Sequence, residues 1–273
     1  MIKQFTTYLT SIRGYSPRTA DGYRKDCQAF AAWAKAHIEG ARWSTITRED
    51  LDEYITQRAE QGIKPSTTNR EIAAISALYR YFQREGLLTN NPAKYESRRK
   101  QPQRQPNTID ICELRQAYEQ ALGIEKYMLG LLITTGIRIS ELLALKWGDF
   151  DYNIGAIRIM GKGAKERTVY PSAEVLSLFK EVYERFDPAS CVFHLSERDA
   201  RYRIFQALRP YCHGKQLSPH AIRHTIATYW AKNGANVTTI AQALGHNKIE
   251  TTQQYIDLAQ SDTRNLMRSQ SVI

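Results

Sequence analysis

One glycine near the end of the chain constrains this sequence more than any other residue. The stretch Ser218–Tyr255 reads S-P-H-A-I-R-H-T, then an apolar run, then A-L-G-H-N-K-I-E-T-T-Q-Q-Y. Ser218 suits an N-cap and Pro219 a first helical turn, so a helix starts there. His220 and Arg223 stand three residues apart and share one face of it. Gly245 follows the apolar run, where a helix C-terminus favours a left-handed residue. Asn247 with Glu250 then predicts a new helix in capping-box style. On one unbroken helix His246 and Tyr255, nine residues apart, point to roughly opposite sides. A turn at Gly245 lets them converge.

Two histidines, an arginine and a tyrosine brought together suit chemistry on a phosphodiester. Its charge moves onto the non-bridging oxygens in the transition state, where arginine grips bidentately and histidine donates. A tyrosine hydroxyl serves as a nucleophile and leaves a covalent phosphotyrosine. Freeing a phenol proton at neutral pH costs roughly 4 kcal/mol, and neighbouring cations lower that cost.

The spacing H-x-x-R, then L-G-H, then Tyr nine residues on resembles the tyrosine recombinase (phage integrase) family, and within it the Xer-type bacterial proteins. Two upstream segments extend the likeness. Thr135-Gly136-Ile137-Arg138-Ile139-Ser140-Glu141-Leu142 matches the family's T-G-x-R-x-S-E-L. Gly161-Lys162-Gly163-Ala164-Lys165-Glu166-Arg167 matches its G-K-G-x-K-x-R turn. The resemblance implies a catalytic set of Arg138, Lys162, His220, Arg223, His246 and Tyr255, with Glu141 bracing Arg138. Tyr255 attacks the scissile phosphate and keeps the 3′-phosphoryl end, and Lys162 protonates the departing 5′-hydroxyl. Arg138, Arg223 and His246 hold the non-bridging oxygens, and His220 accepts a proton or donates a hydrogen bond. Lys165 is the alternative acid, and the family pattern favours the lysine between the glycines. His224, directly after Arg223, is expected to point away from the His220 face into a buried hydrogen bond.

Composition agrees with a polyanionic partner. The chain has 273 residues and a formal net charge of +10, a balance that favours nucleic acid. No apolar run approaches the ~18 residues of a membrane span, and Met1–Phe5 lacks a signal-peptide core, so a cytoplasmic, nucleoid-associated protein is expected. Cys27, Cys112, Cys191 and Cys212 show no metal-ligand spacing and read as buried free thiols. No metal and no cofactor are implied: the chain lacks a phosphate-binding G-x-x-x-x-G-K-[ST] loop and a carboxylate cluster.

Taken in order, residues 1–95 read as four short helices with apolar faces, starting before Phe5, at Ser16-Pro17, at Thr47 with Asp50, and at Pro65-Ser66. They resemble the family's core-binding domain, a helical clamp on DNA. Arg18, Thr19, Arg24, Lys64, Thr67, Asn69 and Arg70 are the candidate DNA contacts, with helix N-termini at Ser16 and Ser66 as phosphate seats. Residues 96–107, rich in proline, glutamine and cations, read as a basic linker. The catalytic domain, 108–273, opens on a helix from Asp110 and a second apolar helix ending at Gly136. Short strands follow at Trp147–Asp151, Ala156–Met160 and Arg167–Tyr170, then further helices. The fold class expected is mainly α with a small β-sheet: a four-helix core-binding domain plus an α+β catalytic domain of tyrosine recombinase type.

The function implied is site-specific recombination (integration, excision, inversion or dimer resolution) on double-stranded DNA with inverted-repeat sites. It is carried out by a homo-tetramer, or a heterotetramer with a paralogue, on two DNA sites. Two alternatives stand beside it: a type IB topoisomerase-like relaxing enzyme and a non-catalytic sequence-specific DNA-binding protein. The apolar residues of the tail, Leu266, Met267, Val272 and Ile273, suggest a segment used in assembly.

Overall fold

The structure, a computed structural model, describes residues 1–94, 107–161, 166–183, 185–213, 216–245 and 252–256. The chain divides into two compact units, Met1–Gln103 and Arg104–Ile273. Among the described residues no helix is long and apolar enough to cross a membrane. The basic linker lies almost wholly outside the described residues, as do the apolar tail and the helix start expected at Asn247 and Glu250.

The first unit is a bundle of α1 (Ile2–Ser11), α2 (Pro17–His37), α3 (Arg48–Glu60) and α4 (Pro65–Arg84). Ser16 Oγ caps α2 by accepting from the Thr19 amide, and Thr47 with Asp50 closes a full capping box on α3. The fourth helix opens at Pro65, as expected; its N-cap is Lys64, with no side-chain hydrogen bond, and Ser66 lies inside the first turn. Phe5, Cys27, Phe30, Leu51, Tyr54, Leu78, Tyr79 and Phe82 fill the core, each large apolar side chain contributing roughly 1.5–3 kcal/mol on burial. Two acidic residues are buried with them. Glu71 accepts from Tyr54 Oη at 3.0 Å and from both Nε and Nη2 of Arg58, and Asp26 takes a two-point fork from Arg70 at 2.8 and 2.7 Å.

The second unit is built around α6 (Gly123–Thr135), which packs against α8 (Ala173–Tyr183), α9 (Glu197–Leu208) and α10 (Pro219–Lys232). Met128, Leu129, Leu131 and Leu132 are all buried, so α6 is apolar around most of its circumference, as a central helix must be. Before it runs α5 (Ile111–Gln120), capped by Asp110, and after it the short α7 (Ile139–Ala144). An antiparallel sheet of β1 (Phe150–Asp151), β2 (Ala156–Met160) and β3 (Glu166–Val169) pairs in that order. Ile157 and Ile159 face the core, while Arg158 and Met160 face out. The first strand is shorter than expected, because Trp147–Asp149 forms a single 3-10 turn. There the Asp149 carboxylate accepts from the Lys146 amide and closes the turn.

All four cysteines are free, but only Cys27 and Cys212 are buried; Cys112 is exposed and Cys191 half-buried. Cys112 stands two residues after the Asp110 cap, and on the first turn of a surface helix that position faces solvent.

Candidate active site

Two left-handed glycines frame the site. Gly136 (φ 62°) ends α6, and Gly245 (φ 64°) ends α11 (Val237–Leu244), a conformation in which a side chain is strained. The two turns approach closely: a Cβ on Gly136 would stand 2.8 Å from a methyl of Leu244. Arg138, the N-cap of α7, emerges two residues beyond Gly136, with Glu141 reaching back to its amide at 2.8 Å. Ser218 Oγ caps α10 by accepting from the Ala221 amide at 3.2 Å, and this places His220, Arg223 and His224 on the first two turns.

The C-terminal end of α11 acts as a seat for cations. The last carbonyls of a helix lack partners within it and form its negative pole. Here Ala243 O accepts from Arg167 Nε at 3.0 Å. Leu244 O accepts from Arg223 Nη2 at 2.6 Å and from Arg138 Nη1 at 3.3 Å, and Gly245 O accepts from Arg138 Nη2 at 3.1 Å. Arg223 Nη1 also donates to Gly136 O at 2.7 Å. Arg223 is 2% exposed, and burial, then the nearby Arg138, bring its pKa down to about 9, so it stays charged at neutral pH.

One carboxylate serves two of these arginines. Glu141 accepts Nη1 of Arg138 at 2.8 Å and a two-point fork from Arg167 at 2.9 and 2.7 Å. Burial acts to raise the Glu141 carboxyl, but the bonds from Arg167 and Arg138 outweigh it and hold the pKa below the usual value.

Tyr255 lies in the helical residues 252–256, 1% exposed among Ala227, Ile240 and Leu244. Its hydroxyl is 2.7 Å from Nδ1 of His224, so one proton lies between the two groups. Burial raises the phenol pKa, and Arg223, Gln254 and Arg138 act against that rise. His224 is pushed down to about 4, by burial first and then by His220 and Arg223, so its ring is neutral at pH 7. The pKa of His220 is lowered too, by burial and then by Arg223, Arg138 and Arg201.

The structure therefore brings Arg138, Glu141, His220, Arg223 and Tyr255 into one cluster. Lys162 and His246 lie outside the described residues. The expectation that His224 turns away from His220 is corrected: their rings meet edge to face with centroids 4.3 Å apart. Four residues make about one helical turn, so the pair stacks along one face. The buried hydrogen bond expected of His224 is made to the candidate nucleophile itself. Arg167 joins the site only through where β3 meets α11, which no local spacing encodes.

The candidate DNA contacts all lie in the first unit. Arg18 and Lys64 are exposed; Thr67 and Asn69 are half-buried. Thr19 shares a hydrogen bond with Ser16 Oγ at 2.8 Å. Arg24 forks onto Asp21 at 3.0 and 2.6 Å and reaches Gln28, and Arg70 holds the buried Asp26. For Arg70 this is a structural bond between α2 and α4, with the guanidinium engaged in the pair.

A model of the phage integrase family matches residues 109–262, and one of the phage integrase N-terminal SAM-like domain matches residues 2–86. Among curated proteins, the chain is 31% identical to tyrosine recombinase XerC of Pelobacter propionicus, covering 93% of this chain and 89% of that one. It is 27% identical to tyrosine recombinase XerD of Oceanobacillus iheyensis, covering 98% and 97%. Its fold is similar to that of XerH recombinase in a post-cleavage complex with difH DNA (TM-score 0.74, 19% identity, 100% of this chain and 84% of that one). It is also similar to a lambda integrase fragment bound as a dimer to a core site (TM-score 0.72, 19% identity, 93% of each chain). The turn at Gly245, the arginines seated on it and the tyrosine beside them thus sit in a chain matched over most of its length, and the chain belongs to the phage integrase family, as a tyrosine-type site-specific recombinase.

Proposed function

We propose that the protein cleaves and rejoins double-stranded DNA at inverted-repeat sites, with Tyr255 as nucleophile, working as a tetramer on two sites in the cytoplasm, on the nucleoid. The observation that carries this reading is the placement of the Tyr255 hydroxyl against a neutral His224, within the field of Arg138 and Arg223. In the step, the Tyr255 Oη–H bond breaks and its proton passes to a histidine of the His220–His224 pair. Oη bonds to phosphorus, and the bond to the 5′-oxygen breaks. Lys162 gives that oxygen its proton. Arg138 and Arg223, joined by His246, hold the non-bridging oxygens as charge builds on them. Energy stays in the phosphotyrosine bond, and the 5′-hydroxyl of a partner strand reverses the step. In the first unit, Arg18, Thr19, Arg24, Lys64, Thr67 and Asn69 are assigned to the DNA backbone, and binding weakens steeply with salt as counterions are released.

A substrate nicked beside the cleavage site traps the covalent adduct, visible on a denaturing gel. Wild-type protein is expected to form it and Tyr255→Phe to form none while still binding the DNA. Lys162→Ala is expected to recover on a bridging 5′-sulfur substrate, whose leaving group needs little protonation, whereas Tyr255→Phe does not recover. An adduct from the phenylalanine variant removes Tyr255 as nucleophile, and failure of the sulfur substrate to rescue removes Lys162 as the acid.

A further inference from the structure

The last residue of the G-K-G-x-K-x-R segment has no part in the mechanism above, yet it is among the most tightly held side chains of the second unit. Arg167 is the second residue of β3, five positions after Lys162 in the sequence. Its side chain is 13% exposed. Its N–H groups are committed to two other elements: Nη1 and Nη2 fork onto Glu141 of α7, and Nε donates to Ala243 O at the end of α11. Even the Gly245 turn is shaped around it, since a Cβ there would stand 3.0 Å from Nη1 and 3.2 Å from Cδ.

We propose that Arg167 is a positioning residue for strand cleavage: it occupies one side of the Glu141 carboxylate and so keeps Arg138 turned outward to the phosphate. The proposal rests on the reading that Arg138 holds a non-bridging oxygen. A carboxylate offers about four acceptor positions, and those of Glu141 are filled by Arg167 Nη1 and Nη2, the Arg138 amide and a single N–H of the Arg138 guanidinium. The Arg138 guanidinium thus gives Glu141 one point of contact, and the side chain remains 39% exposed. Take Arg167 away and each oxygen of a buried carboxylate loses one of its two donors. The strongest available replacement is the two-point fork that arginine and carboxylate prefer, and the nearest guanidinium is that of Arg138. Closing that fork draws Arg138 off the carbonyls of Leu244 and Gly245 and inward from the reacting phosphate. Arg167 itself is too enclosed and too fully engaged to meet DNA, so its effect passes through Arg138.

The test compares Arg167→Met, Arg167→Lys and Arg138→Met as full-length proteins on two nicked substrates. One carries the natural phosphodiester at the cleavage position, the other an uncharged methylphosphonate, and adduct formation is timed for each variant relative to wild type. On the phosphodiester, Arg167→Met is expected to be roughly 100-fold slower, the scale of a catalytic group displaced by about an ångström, with DNA affinity unchanged. Arg167→Lys, which keeps the charge but donates at a point rather than a fork, is expected to fall between. On the methylphosphonate, the oxygen charge that Arg138 neutralises is missing. The deficits of both Arg138→Met and Arg167→Met are therefore expected to collapse together. A general loss of folding slows both substrates alike, and should Arg167→Met fail to fold, Arg167→Lys reads the same ratio. Collapse for Arg138→Met but not for either Arg167 variant overturns the proposal and leaves the role of Arg138 standing. No collapse for Arg138→Met removes that role and the proposal with it. Wild-type rates from Arg167→Met on the phosphodiester overturn the proposal alone.

Discussion

Both units bury carboxylates among arginines, and they do so in opposite proportion. In the first, Glu71 is met by Arg58 and Asp26 by Arg70, so each buried acid has one guanidinium and the charges balance. In the second, among the described residues, Glu141 alone faces Arg138 and Arg167, and Arg223 sits beside them on backbone carbonyls. Three cations around one anion are tolerable only because the end of α11 supplies carbonyl dipoles in place of carboxylates. Balanced pairs hold helices together. A surplus, held open by carbonyls that satisfy geometry without cancelling charge, is a place prepared for an anion.

The comparison is broken most directly from the balanced side. Arg58→Met leaves Glu71 buried with a tyrosine hydroxyl in place of a cation, and loss of one partner of such a pair costs roughly 3–5 kcal/mol. A large drop in melting temperature is expected, with adduct formation per folded molecule unchanged. Equal stability of the variant and wild type removes the structural reading of this pair. On the surplus side, Arg223→Met takes away a cation that has no carboxylate partner among the described bonds. Adduct formation is expected to fall by about 10²–10³, the usual cost of one lost transition-state donor, while the melting temperature falls far less than for Arg58→Met. A larger loss of stability than of cleavage sinks the distinction between the two units.

How much of this was legible depends on the range over which each feature is determined. The caps at Ser16, Thr47, Asp110 and Ser218, and the left-handed stops at Gly136 and Gly245, are set by residues within one turn of each other. Sequence reading places them. The contact of His224 with His220 is equally local, four positions along one helix face, although adjacency to Arg223 suggests the opposite side. The fork of Arg70 on Asp26 is different: it spans 44 positions and exists only because α2 docks on α4. The surplus around Glu141 is assembled from α7, β3 and α11. Motif reading named Arg138 and left Arg167 out, because the motif carries residue types and not the direction in which a strand delivers them.

A smaller effect sharpens the role of the carbonyl seat. Gly245→Ala forces a side chain into a left-handed turn, a cost of about 1–2 kcal/mol, and pushes its Cβ against the Arg167 guanidinium. The melting temperature is expected to fall modestly, and cleavage by more than that loss explains, because the carbonyls holding Arg138 and Arg223 move with the turn. Cleavage that tracks the folded fraction alone means that the seat tolerates displacement.

The smallest effect separates the two units by pH. His224 has its pKa lowered to about 4 in the folded chain, against an ordinary 6.5, because burial and the neighbouring His220 and Arg223 disfavour its cation. Below pH 6.5 the unfolded chain takes up a proton there and the folded chain does not. The stability contributed by neutral His224 is therefore complete above 6.5 and is lost as pH falls toward 4. His220, lowered by burial, Arg223, Arg138 and Arg201, adds to the loss in the same direction. Glu141 acts later: its depressed carboxyl loses its contribution only below the ordinary 4.5. A melting curve followed between pH 7 and 4.5 thus reports the histidines of the second unit before its carboxylate. His224→Gln keeps a polar group beside the Tyr255 hydroxyl but does not titrate, so its melting temperature is expected to fall less over that interval than wild type. Some decline persists, because His220 remains. Parallel curves for the two proteins show that His224 takes up its proton as readily in the folded chain as in the unfolded one, and that burial beside Tyr255 does not hold the ring neutral below pH 6.5.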